Sequence, residues 1–314
     1  VALGAWLLGA PPAHATVPAD LCVGNPCTVN VNRNIDSGSD LDFGAANLVV
    51  GSNVTLTILA GTGQRTLTIR AGSITMQQNA KIVGSGALVE LVTGSGGFTM
   101  QSAGTSRSLI DVQGPVGGEI IIESDGNVVI GGRLDADGSG ADSEGGFITI
   151  NTGGSFSSTE LIAAGASGTF SFGGEVSITA ANGLTVGGMI DTSAGGSDGG
   201  FVTLLADGGN IVINQEIRTD GGNPDGEGGA IEISAETGSI LTSATVRGRG
   251  GAGIDEDCGD GAEISFNAGQ NVQIGGAGSS PGGPPCLWGG GSGAGGRPLS
   301  PTAPRPGPPF PPAG

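Results

Sequence analysis

The chain has 314 residues, enough for one large domain or two smaller ones, and 66 of them are glycine, about three times the ordinary share. Helix formers are scarce and each interior Gly costs a helix about 1 kcal/mol; no every-third-residue Gly repeat points to collagen, and a 37% apolar fraction arriving in regular pulses argues against simple disorder. A net charge of −18 repels nucleic acid and anionic lipid, and leaves cations as the natural attraction.

Residues 1–15, "VALGAWLLGAPPAHA", read as a secretory leader whose charged start is missing. An apolar core over residues 1–10 precedes Ala13-His14-Ala15, a small-residue cleavage pattern. The competing reading is a buried strand. A core of about ten residues is too short to span a bilayer, so the mature chain is expected to carry no transmembrane segment. His14 is the single histidine and would leave with the leader, taking the commonest general base with it.

Four cysteines follow: Cys22 and Cys27 in "CVGNPC", then Cys258 and Cys286. An even count in an exported chain reads as two disulfides, with pairing inside each end favoured over cross-pairing. A metal site is the alternative, although zinc sites usually add His or use C-x-x-C spacing. The bridges would staple covers onto the two ends of the repeat array described next.

Gly-Gly recurs at 117–118, 145–146, 173–174, 199–200 and 228–229, at intervals of 28, 28, 26 and 29 residues. After each pair comes an alternating run: "EIIIE", "FITIN", "EVSIT", "FVTLL", "AIEIS". A second run follows about eight residues later ("NVVIG", "GLTVG", "NIVIN") and then a third ("RLDA", "MIDT", "EIRT"). Alternate residues of a strand face opposite ways, so each run lines up one apolar column. Ile120, Ile148, Val176, Val202, Ile231 and Ile264 form the first. Val128, Phe156, Leu184, Ile211, Ile240 and Val272 form the second, and Leu134, Ile162, Ile190, Ile217 and Val246 the third.

Three columns predict an all-β, single-stranded parallel β-helix with three short strands per turn. Shorter turns from about residue 28 bring the total to eight or nine. An antiparallel sandwich would want longer strands and tighter hairpins. The glycines are expected at corners, where φ > 0 is needed. The domain spans 16–280, with a Cys-bridged cap at its start. Residues 281–314 hold 11 of the 17 prolines and no β pattern, which predicts a Pro/Gly-rich disordered tail.

The runs "GGEIIIESDGNVVIGG" and "GGNIVINQEIRTDGG" resemble coils of secreted bacterial β-helix proteins of the filamentous-haemagglutinin and autotransporter-passenger type. The stretch "ADLCVGNPCTVN" followed by "LDFGAANLVV" is similar to the start of exported β-helix proteins in which a Cys pair precedes the first turn. The resemblance covers most of the chain and rests on repeat character; no haemagglutinin-type secretion signature accompanies it. It implies a right-handed coil, a secreted, extracellular or cell-surface location, and adhesion to extracellular glycans or to a host or neighbour cell surface. It supplies no catalytic residues.

Pectin-cleaving enzymes share the three-sided coil, so a carbohydrate-active protein, pectate-lyase-like or polysaccharide-binding, is the alternative. Its ligand face would gather Asp191, Arg218, Asp220 and Arg247. In the repeat alignment Asp135, Asp191, Arg218 and Arg247 share an outward column, and Asp137, Asp220 and Arg249 the next. The competing view is that these are solvent-facing pairs across turns. Acidic loops leave the third run on one edge, and calcium held by Asp135, Asp137, Asp191, Asp220 and Asp225 would relieve their repulsion; otherwise the loops splay as a solvated edge. No other cofactor is expected. The sequence favours a non-catalytic structural or adhesive role.

Overall fold

The computed structural model describes residues 15–61, 63–160, 162, 163, 165, 166, 168, 170–223, 225–252, 259–275, 278 and 279. Regular structure among them is nearly all strand, and the helix is a single turn, Pro18–Leu21. The strand Glu119–Ser124 shows how the sequence dictates this. Ile120, Ile122 and Ser124 face in while Glu119, Ile121 and Glu123 face out. The strand ends where the Ser124 hydroxyl accepts from the Gly126 N–H at 3.1 Å, a local turn that draws the backbone out of the ladder. One coil on, Thr152 accepts from the Gly154 N–H at 3.1 Å in the same way.

First, second and third runs stack into three parallel sheets of nine, ten and ten strands. In the first sheet Ile120, Ile148, Val176, Val202, Ile231 and Ile264 are consecutive register partners. The Val128 and Leu134 columns are likewise in register through their sheets. The fold is therefore the parallel β-solenoid expected, with three strands per turn. One coil contributes Val176, Ile178, Leu184, Val186 and Ile190 to the core, all fully buried. Each such side chain adds about 1.5 to 3 kcal/mol. No coil could bury them alone, so stability belongs to the stack.

The repeated Gly-Gly pairs correct the expectation about corners. Gly97 and Gly209 do turn the chain at φ 77° and 76°. The described glycines of the pairs are absent from the left-handed region; they are needed for space. A Cβ on Gly200 would lie 1.9 Å from the Gly174 carbonyl oxygen, and one on Gly229 1.8 Å from that of Gly200. Backbone stacks directly on backbone there, and any side chain would wedge the coils apart.

A second difference is a small antiparallel hairpin, Ser102–Ala103 with Ser106–Arg107, thrown out between the second and third runs of one coil. The stretch "QSAGTSRS" gives no sign of it.

At the start, Cys22 and Cys27 are disulfide-bonded with Cα atoms 5.4 Å apart. Leu21 is buried over the first coil. Thr16 fastens the segment by donating to Asp36 Oδ2 at 3.0 Å and accepting from the Asp36 N–H at 2.9 Å. The Cys22–Cys27 pairing within this end is the one expected. The Cys258–Cys286 bridge, nearly all of the leader and the Pro-rich tail lie outside the described residues. No helix among the described residues is long and apolar enough to cross a membrane.

Candidate functional site

The third sheet and the loops leaving it carry the outward Asp and Arg columns. Asp135, Ala163, Asp191, Arg218 and Arg247 are successive register partners, as the repeat alignment requires. Two residues further along, each ladder hydrogen bond links the next coil: Gly138 N to Gly165 O, Ala166 N to Ser193 O, Ala194 N to Asp220 O and Gly221 N to Arg249 O. Asp137, Gly165, Ser193, Asp220 and Arg249 thus form the second column. The isolated bridges Gly114–Gly138, Gly138–Ala166 and Ala166–Ala194 continue the parallel stack into the loop bases. Those bases do not splay.

The acids and bases in these columns hold one another. Arg218 is bidentate on Asp191, with Nε donating to Oδ1 at 3.1 Å and Nη2 to Oδ2. Arg247 bridges Glu216 Oε1 at 2.6 Å and Asp220 Oδ2 at 2.5 Å. The third group is Arg133 with Asp135 and, at 3.8 Å, Asp137. Asp135 departs from the expectation of a solvent-facing side chain, being only 3% exposed. Gln113 Nε2 donates to its Oδ1 at 2.6 Å.

Two carboxylates titrate abnormally, in opposite directions. Burial pushes Asp137 up to about 6, helped by the neighbouring charge of Asp135 and opposed by the Gly165 N–H and Arg133. Burial acts the same way on Asp191 but loses to the Arg218 hydrogen bonds, the Ser193 hydrogen bonds and the Arg218 charge, so Asp191 lies below the ordinary carboxylate value. Hydrogen bonding to Asp191 in turn raises Arg218.

The structure does not gather the five aspartates assigned to calcium into one group. Asp135, Asp191 and Asp220 direct oxygens at Gln113 or arginines, while Asp225 is exposed at φ 64° in its own loop. Among the described residues no three His, Cys, Asp or Glu side chains are grouped to hold a metal ion.

A groove of about 440 Å³ lies elsewhere, along the corner after the first-sheet strands, where Arg70, Glu123, Asp125, Asn151 and Asp207 line it. Arg70 there is paired with Asp40 and Glu90. Four phenylalanines, Phe147, Phe170, Phe172 and Phe201, are exposed. Phe147 and Phe201 open "FITIN" and "FVTLL" one place before an inward Ile or Val. Strict alternation alone puts them outside.

Comparison with family models, with curated proteins and with solved structures gave no match.

Proposed function

We propose that the chain is a non-catalytic, exported structural or adhesive β-solenoid of the filamentous-haemagglutinin or autotransporter-passenger type, acting outside the cell or at its surface. The observation that carries this reading is the mutual pairing of the third-sheet face. Asp191 with Arg218, and Glu216 and Asp220 with Arg247, neutralise one another across coils, so the groups a sugar acid would need are already engaged. The Cys22–Cys27 disulfide suits an oxidising compartment. A net charge of −18 suits a soluble exposed rod.

One observation favours the carbohydrate-active alternative. Asp137, held near 6, has a pKa suited to general acid or base work near neutrality. Incubation with polygalacturonate and alginate separates the two. The scaffold reading expects no release of unsaturated or reducing ends. Turnover that disappears in Asp137→Asn would establish the alternative instead.

A further inference from the structure

The edge where the loops re-enter the first sheet carries a second pattern, unlike the paired third-sheet face. Hydrogen bonds from Gly117 N to Glu144 O, Gly145 N to Phe172 O, Gly173 N to Asp198 O and Gly199 N to Glu227 O place Val116, Glu144, Phe172, Asp198 and Glu227 in one column. Three residues on, Glu119, Phe147, Glu175, Phe201 and Ala230 are successive register partners in a second. Apolar and acidic side chains alternate along both columns as far as Asp198 and Phe201; Glu227 and Ala230 then break the alternation, and the two columns stay out of phase throughout. Phe147 and Phe172 therefore have a carboxylate-bearing residue on both adjacent coils of their own columns, and Phe201 has one, Glu175, on one side, one coil being about 4.8 Å.

The rings are open to solvent, with exposures of 51%, 47% and 57%. None of Glu119, Glu144, Glu175, Asp198 and Glu227 has a basic partner among the described residues, whereas Arg70, Arg107, Arg133, Arg218 and Arg247 are paired at other places. An uncompensated acidic edge repels polyanions. Aromatic faces between carboxylates attract a cation that is both planar and able to donate in its plane. Guanidinium is that group: it stacks on a ring and donates to neighbouring carboxylates, whereas ammonium is a compact, strongly hydrated point charge.

We propose that this edge, from Glu119 to Glu227, is a docking strip for an arginine-rich extended segment of a protein partner. The proposal deepens the adhesive reading, and the two fail separately, because turnover of glycans and binding of a peptide are independent measurements.

The test uses the full chain at physiological salt, with nona-arginine and nona-lysine peptides as probes in calorimetric titration. Nona-arginine should bind at least tenfold more tightly than nona-lysine. The triple variant Phe147→Ala, Phe172→Ala, Phe201→Ala leaves the charge unchanged and alters only exposed side chains; it should weaken nona-arginine at least tenfold. Glu175→Gln with Asp198→Asn should do the same, while Asp125→Asn with Asp207→Asn, removing equal charge at the opposite end of the first-sheet strands, should change binding less than twofold. Equal affinity for the two peptides, no binding, or binding indifferent to the Phe substitutions would overturn the proposal in favour of diffuse attraction to an acidic rod. A neutral cello-oligosaccharide that binds and is lost in the Phe variant, with nona-arginine unaffected, would overturn it in favour of a sugar-stacking platform.

Discussion

Asp137 and Asp191 occupy adjoining columns of one face and couple folding to pH with opposite signs. The folded pKa of Asp137 is raised from 3.8 to about 6, so the folded state binds the extra proton between these values. Its contribution to stability is present below about pH 4, falls as pH rises through 6, and above that is a full penalty. Asp137→Asn should therefore melt like the parent chain at pH 4 and be more stable at pH 7.5 by roughly 1 to 2 kcal/mol, solvent screening keeping the gain below the full shift. Identical stability differences at both pH values would rule out the buried-acid account. Asp191 is lowered, so its contribution is present above the unfolded value of 3.8 and lost as pH falls below it. A glycine prediction belongs at the same scale. Gly200→Ala should cost about 1 to 3 kcal/mol, because its Cβ has nowhere to go except against a neighbouring carbonyl. Gly183→Ala, whose Cβ would sit 3.4 Å from the nearest atom, should melt close to the parent chain. Gly38, at φ 86° with open space around it, and Gly200, short of space, are both simply glycine in the sequence. Left-handed φ and lack of space both demand glycine, and a single chain records the demand without its cause. Asp135 is a similar case: its column was legible from the repeat, but its burial was not, because strand alternation places it outward.

At the scale of elements, the three runs were legible because each keeps its alternation coil after coil, and register follows once the inward positions are aligned. The hairpin Ser102–Ala103 with Ser106–Arg107 was not, since the six residues "SAGTSR" carry no apolar period to break. Its place in the coil shows that the stack does not need it. Gln101 and Ser108 already touch, through the Ser108 hydroxyl donating to the Gln101 carbonyl at 2.9 Å. Met100 pairs with Ile130 and Leu109 with Arg133. Joining Gln101 to Ser108 would leave the same two-residue link that Gly131-Gly132 makes in the next coil. Deletion of 102–107 should therefore change stability by less than about 1 kcal/mol, since it forfeits only the partly exposed Arg107–Glu160 pair at 2.8 Å. Loss of cooperative unfolding in that variant would show the hairpin to be part of the fold. Among the outward residues, the Asp and Arg columns were visible as columns, but their pairing needed side-chain distances. Phe147 and Phe201 are outward by the same alternation that buries Ile148 and Val202, but nothing in a single run distinguishes an exposed ring from any other outward strand residue.

Among the described residues the strands of the three sheets pair with those of neighbouring coils, so stability is a chain of nearest-neighbour terms that fails first at its ends. The Cys22–Cys27 bridge closes a short loop over the first coil and should add on the order of 2 kcal/mol there. Reduction should speed amide exchange in Cys27–Val29 and Arg33–Ile35 while Glu175–Ala180 and Phe201–Ala206 stay protected. Simultaneous loss of protection in all four strands would mean that the molecule unfolds as one unit.

The in-register columns also make length a counted quantity. Residues 173–198 are one complete coil, beginning and ending at equivalent ladder positions, since Phe172 and Asp198 are neighbours in the same column. Removing those 26 residues would set "GGFVTLL" directly after Phe172, with every remaining strand still on its own face. The rod would shorten by one step of about 4.8 Å. Removing a single residue inside a strand would instead turn its apolar side chains outward. A lineage of such proteins can therefore lengthen or shorten by whole coils without redesigning its interior, and the spacing between any two surface features is tuned in integers.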